Sequence, residues 1–204
     1  MYIKRHMEQL LEQITGQYPV LLVTGPRQVG KTPMLEHLPQ KEDRGRETVT
    51  LDDLTVRELA KTDPKMFFQL HKPPLLIDEV QYAPELFPYI KMMVDSRRQP
   101  GDFWLTGSQL FSMMEGVQES LAGRVALLQL SPLSYGEIME DDATPPFRVE
   151  LSALTERQNR RTVLDTPAIF QRIFTGGMPA LVSGQYVNPN IFYSSYISTY
   201  LDRD

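Results

Sequence analysis

Val20-Leu21-Leu22-Val23-Thr24-Gly25-Pro26-Arg27-Gln28-Val29-Gly30-Lys31-Thr32 is the stretch that decides the fold: an uncharged, β-branched run entering a complete G-x-x-x-x-G-K-[ST] pattern. The run predicts a strand, and Met34-Leu35-Glu36-His37-Leu38 beyond the loop can continue as a helix. Between a strand and a helix, these residue types suit a polyphosphate. Gly25 and Gly30 allow a tight turn and close backbone approach, so that successive N–H groups converge on an anion. Lys31 offers a mobile charge to the β- and γ-phosphates, Thr32 a hydroxyl to Mg²⁺, and the helix its positive N-terminal end. The expected cradle is therefore Gly25, Pro26, Arg27, Gln28, Val29, Gly30, Lys31 and Thr32. The bland alternative is a glycine-rich turn with no ligand.

Pro33 breaks the usual pattern. It stands where the next backbone N–H would reach the α-phosphate, and proline has none. The first turn of a helix tolerates proline, so the expectation is weakened nucleotide binding rather than a damaged fold.

Composition bounds the rest. With 204 residues, 41% of them hydrophobic, the chain can bury one good core and a second small unit. There is no run of about 18 apolar residues and no signal-peptide pattern at Met1-Tyr2-Ile3-Lys4-Arg5-His6, which makes a cytoplasmic location the default. The absence of cysteine excludes disulfides and thiolate metal sites. His6, His37 and His71 lack ligand spacing. A net charge of −5 argues against polyanion binding by bulk electrostatics.

Taken in order, Ile3, Met7, Leu10, Leu11 and Ile14 predict an amphipathic helix before the loop strand, with Gly16 as its stop. Thr48–Leu51 reads as a second strand, Leu54–Ala60 as a short helix, and Asp63-Pro64 as the cap and first turn of another. Pro73-Pro74 launches Leu75-Leu76-Ile77-Asp78-Glu79, whose consecutive apolar residues suggest a strand buried on both faces of a parallel sheet. A helix after Pro84-Glu85 should send Leu86, Phe87, Ile90 and Val94 into the core. Phe103-Trp104-Leu105 and Val125–Leu130 read as strands four and five, with a helix from about Phe111 to Leu121 between them. This alternation predicts an α/β doubly wound domain. After it, Ser134–Met139 reads as a short helix, Glu140–Pro146 as an acidic, proline-rich boundary, and the remainder as helical. Arg157, Arg160 and Arg161 form a basic cluster, read as a solvated helix face or as a nucleic-acid or partner contact. The stripe Phe192, Tyr193, Tyr196, Ile197, Tyr200 and Leu201 suggests a fragment whose continuation would cover it.

Asp78 lies 47 residues after Lys31, where parallel sheets place ligand chemistry. Asp78 would bind Mg²⁺ through its water shell and Glu79 would polarise the attacking water. Alternatively, the two acids cap the next helix. The pair resembles that of the ATPase class in which the fourth strand lies between the loop strand and the acidic strand. Thr106 and Ser108 would then sit between Lys31 and Asp78 as sensors of the γ-phosphate or lytic water, or else form a simple turn.

Gly-Pro-Arg-Gln-Val-Gly-Lys-Thr, Leu-Leu-Ile-Asp-Glu-Val-Gln, Leu-Thr-Gly-Ser-Gln, Leu-Ala-Gly-Arg-Val, Ser-Pro-Leu-Ser-Tyr-Gly-Glu, Gly-Gly-Met-Pro and Tyr-Leu-Asp-Arg-Asp occur in this order through the chain. Together they resemble the prokaryotic AAA-type ATP-binding proteins that carry a C-terminal domain of unknown function. The resemblance implies a P-loop NTPase fold with a parallel five-stranded sheet flanked by helices over residues 1–134. A helical connector over 135–204 would lead to a C-terminal domain outside this chain. ATP and Mg²⁺ are the implied ligands, with Lys31, Glu79, Thr106 and Ser108 in catalytic positions and Thr32 and Asp78 on the metal. Arg124 is implied as an arginine-finger candidate, in its own site or a neighbour's, or else as a structural arginine. The family usually has an N–H-bearing residue where this chain has Pro33.

The readings that remain are an ATPase driving or gating an effector domain, a nucleotide-gated module with little hydrolysis, and a small-substrate kinase. Partners beyond nucleotide are a second copy or a protein bound through the helical segment, and, on the thin basis of Arg97-Arg98 and the 157–161 cluster, nucleic acid. No membrane partner is expected.

Overall fold

A computed structural model describes residues 2–38, 45–108, 116–117, 119–140, 148–159 and 164–201. The chain divides into two compact units, residues 2–132 and 133–204, with Met1 grouped with the second.

The first unit is a five-stranded parallel sheet in the order β2-β3-β4-β1-β5, formed by β1 (Val20–Thr24), β2 (Glu47–Thr50), β3 (Leu75–Asp78), β4 (Phe103–Gly107) and β5 (Val125–Gln129). β4 pairs with β1 on one side and β3 on the other, so the fourth strand separates the loop strand from the acidic strand as expected. The central strands bury both faces. Val20, Leu22, Leu75, Ile77, Phe103 and Leu105 share one core cluster with Phe67, Phe87 and Ile90. Leu21, Val23, Leu76 and Trp104 alternate with them and are also buried. Burial of each large side chain is worth about 1.5–3 kcal/mol, which is why near-continuous apolar runs mark these strands. Edge strands β2 and β5 carry the more exposed patterns.

Helices cover both faces: α1 (Met7–Ile14), α2 (Lys31–His37), α3 (Leu54–Thr62), α4 (Pro64–Leu70) and α5 (Leu86–Arg97). Leu86, Phe87, Ile90 and Val94 of α5 are buried, as their spacing predicts. Asp53 caps α3 by accepting from the N–H groups of Thr55 and Val56, and Asp63 caps α4 through Met66 N–H, with Pro64 in its first turn. The differences from expectation here are local. α1 begins at Met7 rather than Ile3, β2 begins and ends one residue earlier, and a 3-10 turn, Val80–Tyr82, follows β3. Leu10, expected on the buried face of α1, is 44% exposed.

The second unit is helical among its described residues: α6 (Tyr135–Ile138), α7 (Leu151–Asn159), α8 (Thr166–Thr175), α9 (Pro179–Val182), α10 (Pro189–Tyr196) and a π-helical turn Ile197–Leu201. Ser134 and Glu137 close a capping box around α6. Leu133 donates its N–H to the Gly177 carbonyl, and a Cβ on Gly177 would stand 2.2 Å from the Leu133 oxygen, so only glycine fits there. Phe192, Tyr196 and Tyr200 form an aromatic ladder. The sequence expectations for the loop 41–44, most of the Phe111–Leu121 helix, the acidic boundary after Glu140, Arg160 and Arg161 lie outside the described residues. No described helix is long and apolar enough to cross a membrane.

Candidate active site

The phosphate loop leaves β1 at Thr24 and closes on α2 at Lys31. Gly25 has φ 143°, and a Cβ there would lie 2.2 Å from the Leu130 carbonyl oxygen, so the loop passes too close to the end of β5 for any side chain. Gly30 has φ 90° with open space on its Cβ side, which leaves the backbone accessible where it enters the helix. Gln28 also sits in the left-handed region, at φ 62°. Behind the loop, the buried Arg5 donates to the Val29 carbonyl at 2.8 Å and to the Ser131 carbonyl at 2.7 Å, fastening the loop to the chain beyond β5. Pro33 falls in the first turn of α2; its ring costs no helix bond, because the first 5→1 bond runs from Met34 N–H to the Gly30 carbonyl.

Lys31 is buried and donates to the carbonyls of Gly25 at 3.1 Å and Pro26 at 2.9 Å. Burial holds its pKa below the ordinary lysine value; the charges of Glu79 and Asp78 oppose that shift, and Arg27 adds slightly to it. Its electrostatic neighbours are thus both acids of the strand end and the arginine of the loop.

Three threonine hydroxyls from separate elements converge on Asp78. Thr32 of α2 donates to Oδ1, Thr106 of β4 donates to Oδ1 at 2.5 Å, and Thr50 of β2 donates to Oδ2 at 3.2 Å. Thr106 is fully buried and also accepts the Glu79 N–H at 3.2 Å, so one hydroxyl ties the two acids together. Glu79 lies beyond the strand at φ 56°, ψ 45°, a left-handed conformation that costs a non-glycine residue of order 1 kcal/mol or more. Its Oε2 accepts from Ser108 Oγ at 3.1 Å and from Gln81 Nε2, and Gln81 also donates to Ser108 Oγ at 3.2 Å. Arg27 donates to the Tyr82 hydroxyl at 3.3 Å, and Arg57 stacks on the Tyr82 ring at 3.9 Å.

The structure brings together Lys31, Thr32, Asp78, Glu79, Thr106 and Ser108. It does not bring Arg124 to them. Arg124 precedes β5, and Val125 pairs in parallel register with Val20, so it lies at the opposite end of the sheet from the loop. Five strand residues at about 3.3 Å each separate the two ends by roughly 16 Å. There Arg124 holds Asp95 of α5 by two bonds, 2.6 and 3.0 Å, which lowers the Asp95 pKa and raises its own. A finger role within its own site is therefore excluded by position. Sequence reasoning could have reached this, since a residue opening a strand of a parallel sheet lies opposite the strand's C-terminal end.

Thr50, Gln81, Tyr82 and Arg5 were not singled out in the sequence. Gln81 follows Asp78-Glu79 in the quoted motif, but the 3-10 turn that folds it back has no periodic signal. Arg5 and Thr50 act through contacts distant in sequence, which spacing does not reveal.

An AAA domain family matches residues 17–139, more than half of the chain. The chain belongs to this AAA domain family. Among curated proteins, uncharacterized protein Rv2008c of Mycobacterium tuberculosis and uncharacterized protein Mb2031c of Mycobacterium bovis are each 32% identical over 136 residues. The match spans 66% of this chain and 30% of each relative. Among solved structures, the Walker-type ATPase PABY2304 of Pyrococcus abyssi aligns over 97% of this chain and 72% of its own, with 17% identity and a TM-score of 0.56. That likeness concerns the fold alone.

Proposed function

We propose that this AAA domain binds Mg-ATP and hydrolyses it to ADP and phosphate. The observation that carries the reading is the convergence of Thr32, Thr106 and Thr50 on Asp78 beside a buried Lys31, which gathers hydroxyl and carboxylate oxygens and a buried ammonium at one strand end. The residues fit the nucleotide. Gly25 and Gly30 keep the loop backbone free of side chains, and Thr32 and Asp78 are hard oxygen donors of the kind Mg²⁺ prefers. Bound there, Mg²⁺ would neutralise charge developing on the β- and γ-phosphate oxygens. Lys31 would exchange its loop carbonyls for phosphate oxygens. Thr32 would turn its hydroxyl from Asp78 to the metal, and Asp78 would hold the metal's waters. Glu79 would take a proton from the attacking water. Thr106, bound to both acids, would report metal placement to Glu79, and Ser108 would steady the Glu79 carboxylate.

The measurement that tests this is phosphate release from Mg-ATP by the chain beside Glu79→Gln. Turnover lost in the variant supports the hydrolase; equal turnover in both refutes the role of Glu79.

A second reading is favoured by Arg124. Its position leaves the site without that arginine unless a neighbouring copy supplies it, so a module that binds nucleotide and turns it over slowly alone is the alternative. In either case the helical unit, residues 133–204, would pass the nucleotide state to an effector region beyond it, consistent with a match to only 30% of each curated relative.

A further inference from the structure

Gln81 is a polar side chain with one end fully engaged and the other without a partner. A carboxylate accepts only, so the amide end against Glu79 must be the NH₂ group. That nitrogen spends both hydrogens, one on Glu79 Oε2 and one on Ser108 Oγ at 3.2 Å, while Ser108 sends its own hydrogen to the same Oε2 at 3.1 Å. The three head groups form a closed triangle with all of its donors used.

Two acceptors remain. Gln81 Oε1 is shut from solvent and has no hydrogen-bond partner, and the described residues send no donor to Glu79 Oε1. Native structures rarely tolerate the first of these, since an unpaired buried acceptor is destabilising. Glu79 is the residue assigned to activate water, and its Oε1 is the carboxylate oxygen that this triangle leaves open.

We infer that Gln81 is a positioning residue for the general base: its Nε2, together with Ser108 Oγ, holds Oε2 of the Glu79 carboxylate and leaves Oε1 to take a proton from the attacking water. The inference rests on the hydrolase reading above. In the step, the water oxygen bonds to the γ-phosphorus, and the bond from phosphorus to the β–γ bridging oxygen breaks, its electron pair leaving with ADP. One water proton passes to Glu79 Oε1; the other stays on the new phosphate. The strained backbone of Glu79 and the 3-10 turn that follows it are what fold Gln81 back onto its neighbour two residues away.

Gln81→Met keeps the length and unbranched shape while deleting both amide functions. The expected result is a fall in kcat of roughly 10- to 100-fold, the scale on which a misplaced proton acceptor acts. KM, Mg-ADP affinity and the melting temperature of the nucleotide-free chain should not worsen, because the unpaired buried oxygen is removed with the rest. Gln81→Asn, one methylene short of both partners, should lose kcat similarly and decides the matter if the methionine variant does not fold. A melting temperature that drops while kcat of the folded protein stays within threefold of wild type would overturn the inference in favour of a structural clasp. Glu79→Gln run in parallel separates the two levels. If that variant turns over normally, or the wild type does not turn over at all, the hydrolase reading fails and this inference with it. If Glu79→Gln is dead and both Gln81 variants are fully active, only the assignment of Gln81 fails.

Discussion

Pro33→Thr should make the protein bind nucleotide more tightly and fold less stably. Pro33 occupies the first turn of α2, where no backbone N–H has a helical partner; the first such bond belongs to Met34, 3.1 Å from the Gly30 carbonyl. The helix therefore loses nothing by carrying proline. A phosphate at the helix entrance loses one donor. Threonine restores that N–H, and one hydrogen bond to an anion is worth about 1–2 kcal/mol net, or roughly 5- to 30-fold in Kd. Stability should move the other way. Proline restricts the unfolded chain, so replacing it at a compatible position costs about 0.4–1 kcal/mol, a fall of a few degrees in melting temperature. The neighbouring contact, His37 Nδ1 with the Pro33 carbonyl at 2.7 Å, uses a backbone atom that threonine keeps. Calorimetric titration of Mg-ADP into both proteins, beside thermal unfolding without nucleotide, reads the two effects separately. Unchanged affinity with the expected drop in melting temperature would refute the reasoning, because it would show that no phosphate oxygen comes within reach of residue 33.

Two further substitutions probe the frame around the loop. Gly25→Ala should abolish Mg-ADP binding and lower the melting temperature, since its Cβ would stand 2.2 Å from a strand-end carbonyl and φ 143° adds strain of about 1–3 kcal/mol; a variant that melts with the wild type would contradict that close approach. Arg124→Ala should leave Mg-ADP affinity of the dilute chain unchanged, because the residue lies at the far end of the sheet paired with Asp95. If wild-type turnover per site rises with protein concentration and the variant's does not, the arginine serves a neighbouring copy, whereas a loss of affinity at low concentration would refute its placement.

What was legible in the sequence was what is contiguous in it. The run from Val20 to Thr32 contains a strand, a loop and a helix start in the order the fold uses them, and Leu75–Asp78 declares its double burial by having no polar alternation. The capping residue Asp63 was readable for the same reason, since a cap acts within three residues of itself. The geometry around Asp78 was not readable, because Thr50, Thr32 and Thr106 come from three elements that only the parallel pairing of β2, β3 and β4 brings side by side. Glu79 was expected on the strand and stands past it in a left-handed turn, a conformation that residue type does not announce. Gln81 depends on that turn and was hidden with it.

The site is held ready from behind as well as from the front. Arg5 grips the loop at Val29 and the segment after β5 at Ser131, and a pair of carbonyls buried with a guanidinium is a fixed arrangement, since breaking it would strand a charge. Lys31 is the opposite case. Burial disfavours its charged form, and two loop carbonyls together with the nearby carboxylates only partly compensate. Phosphate oxygens would bring full negative charge to that ammonium. Nucleotide would then stabilise the folded state by mass action on a site already shaped, and relief of a buried, under-compensated cation is part of the affinity that sets the size of that effect. The loop does not need to fold around its ligand; Arg5 sets its path, and Lys31 sets how much is gained when the ligand arrives.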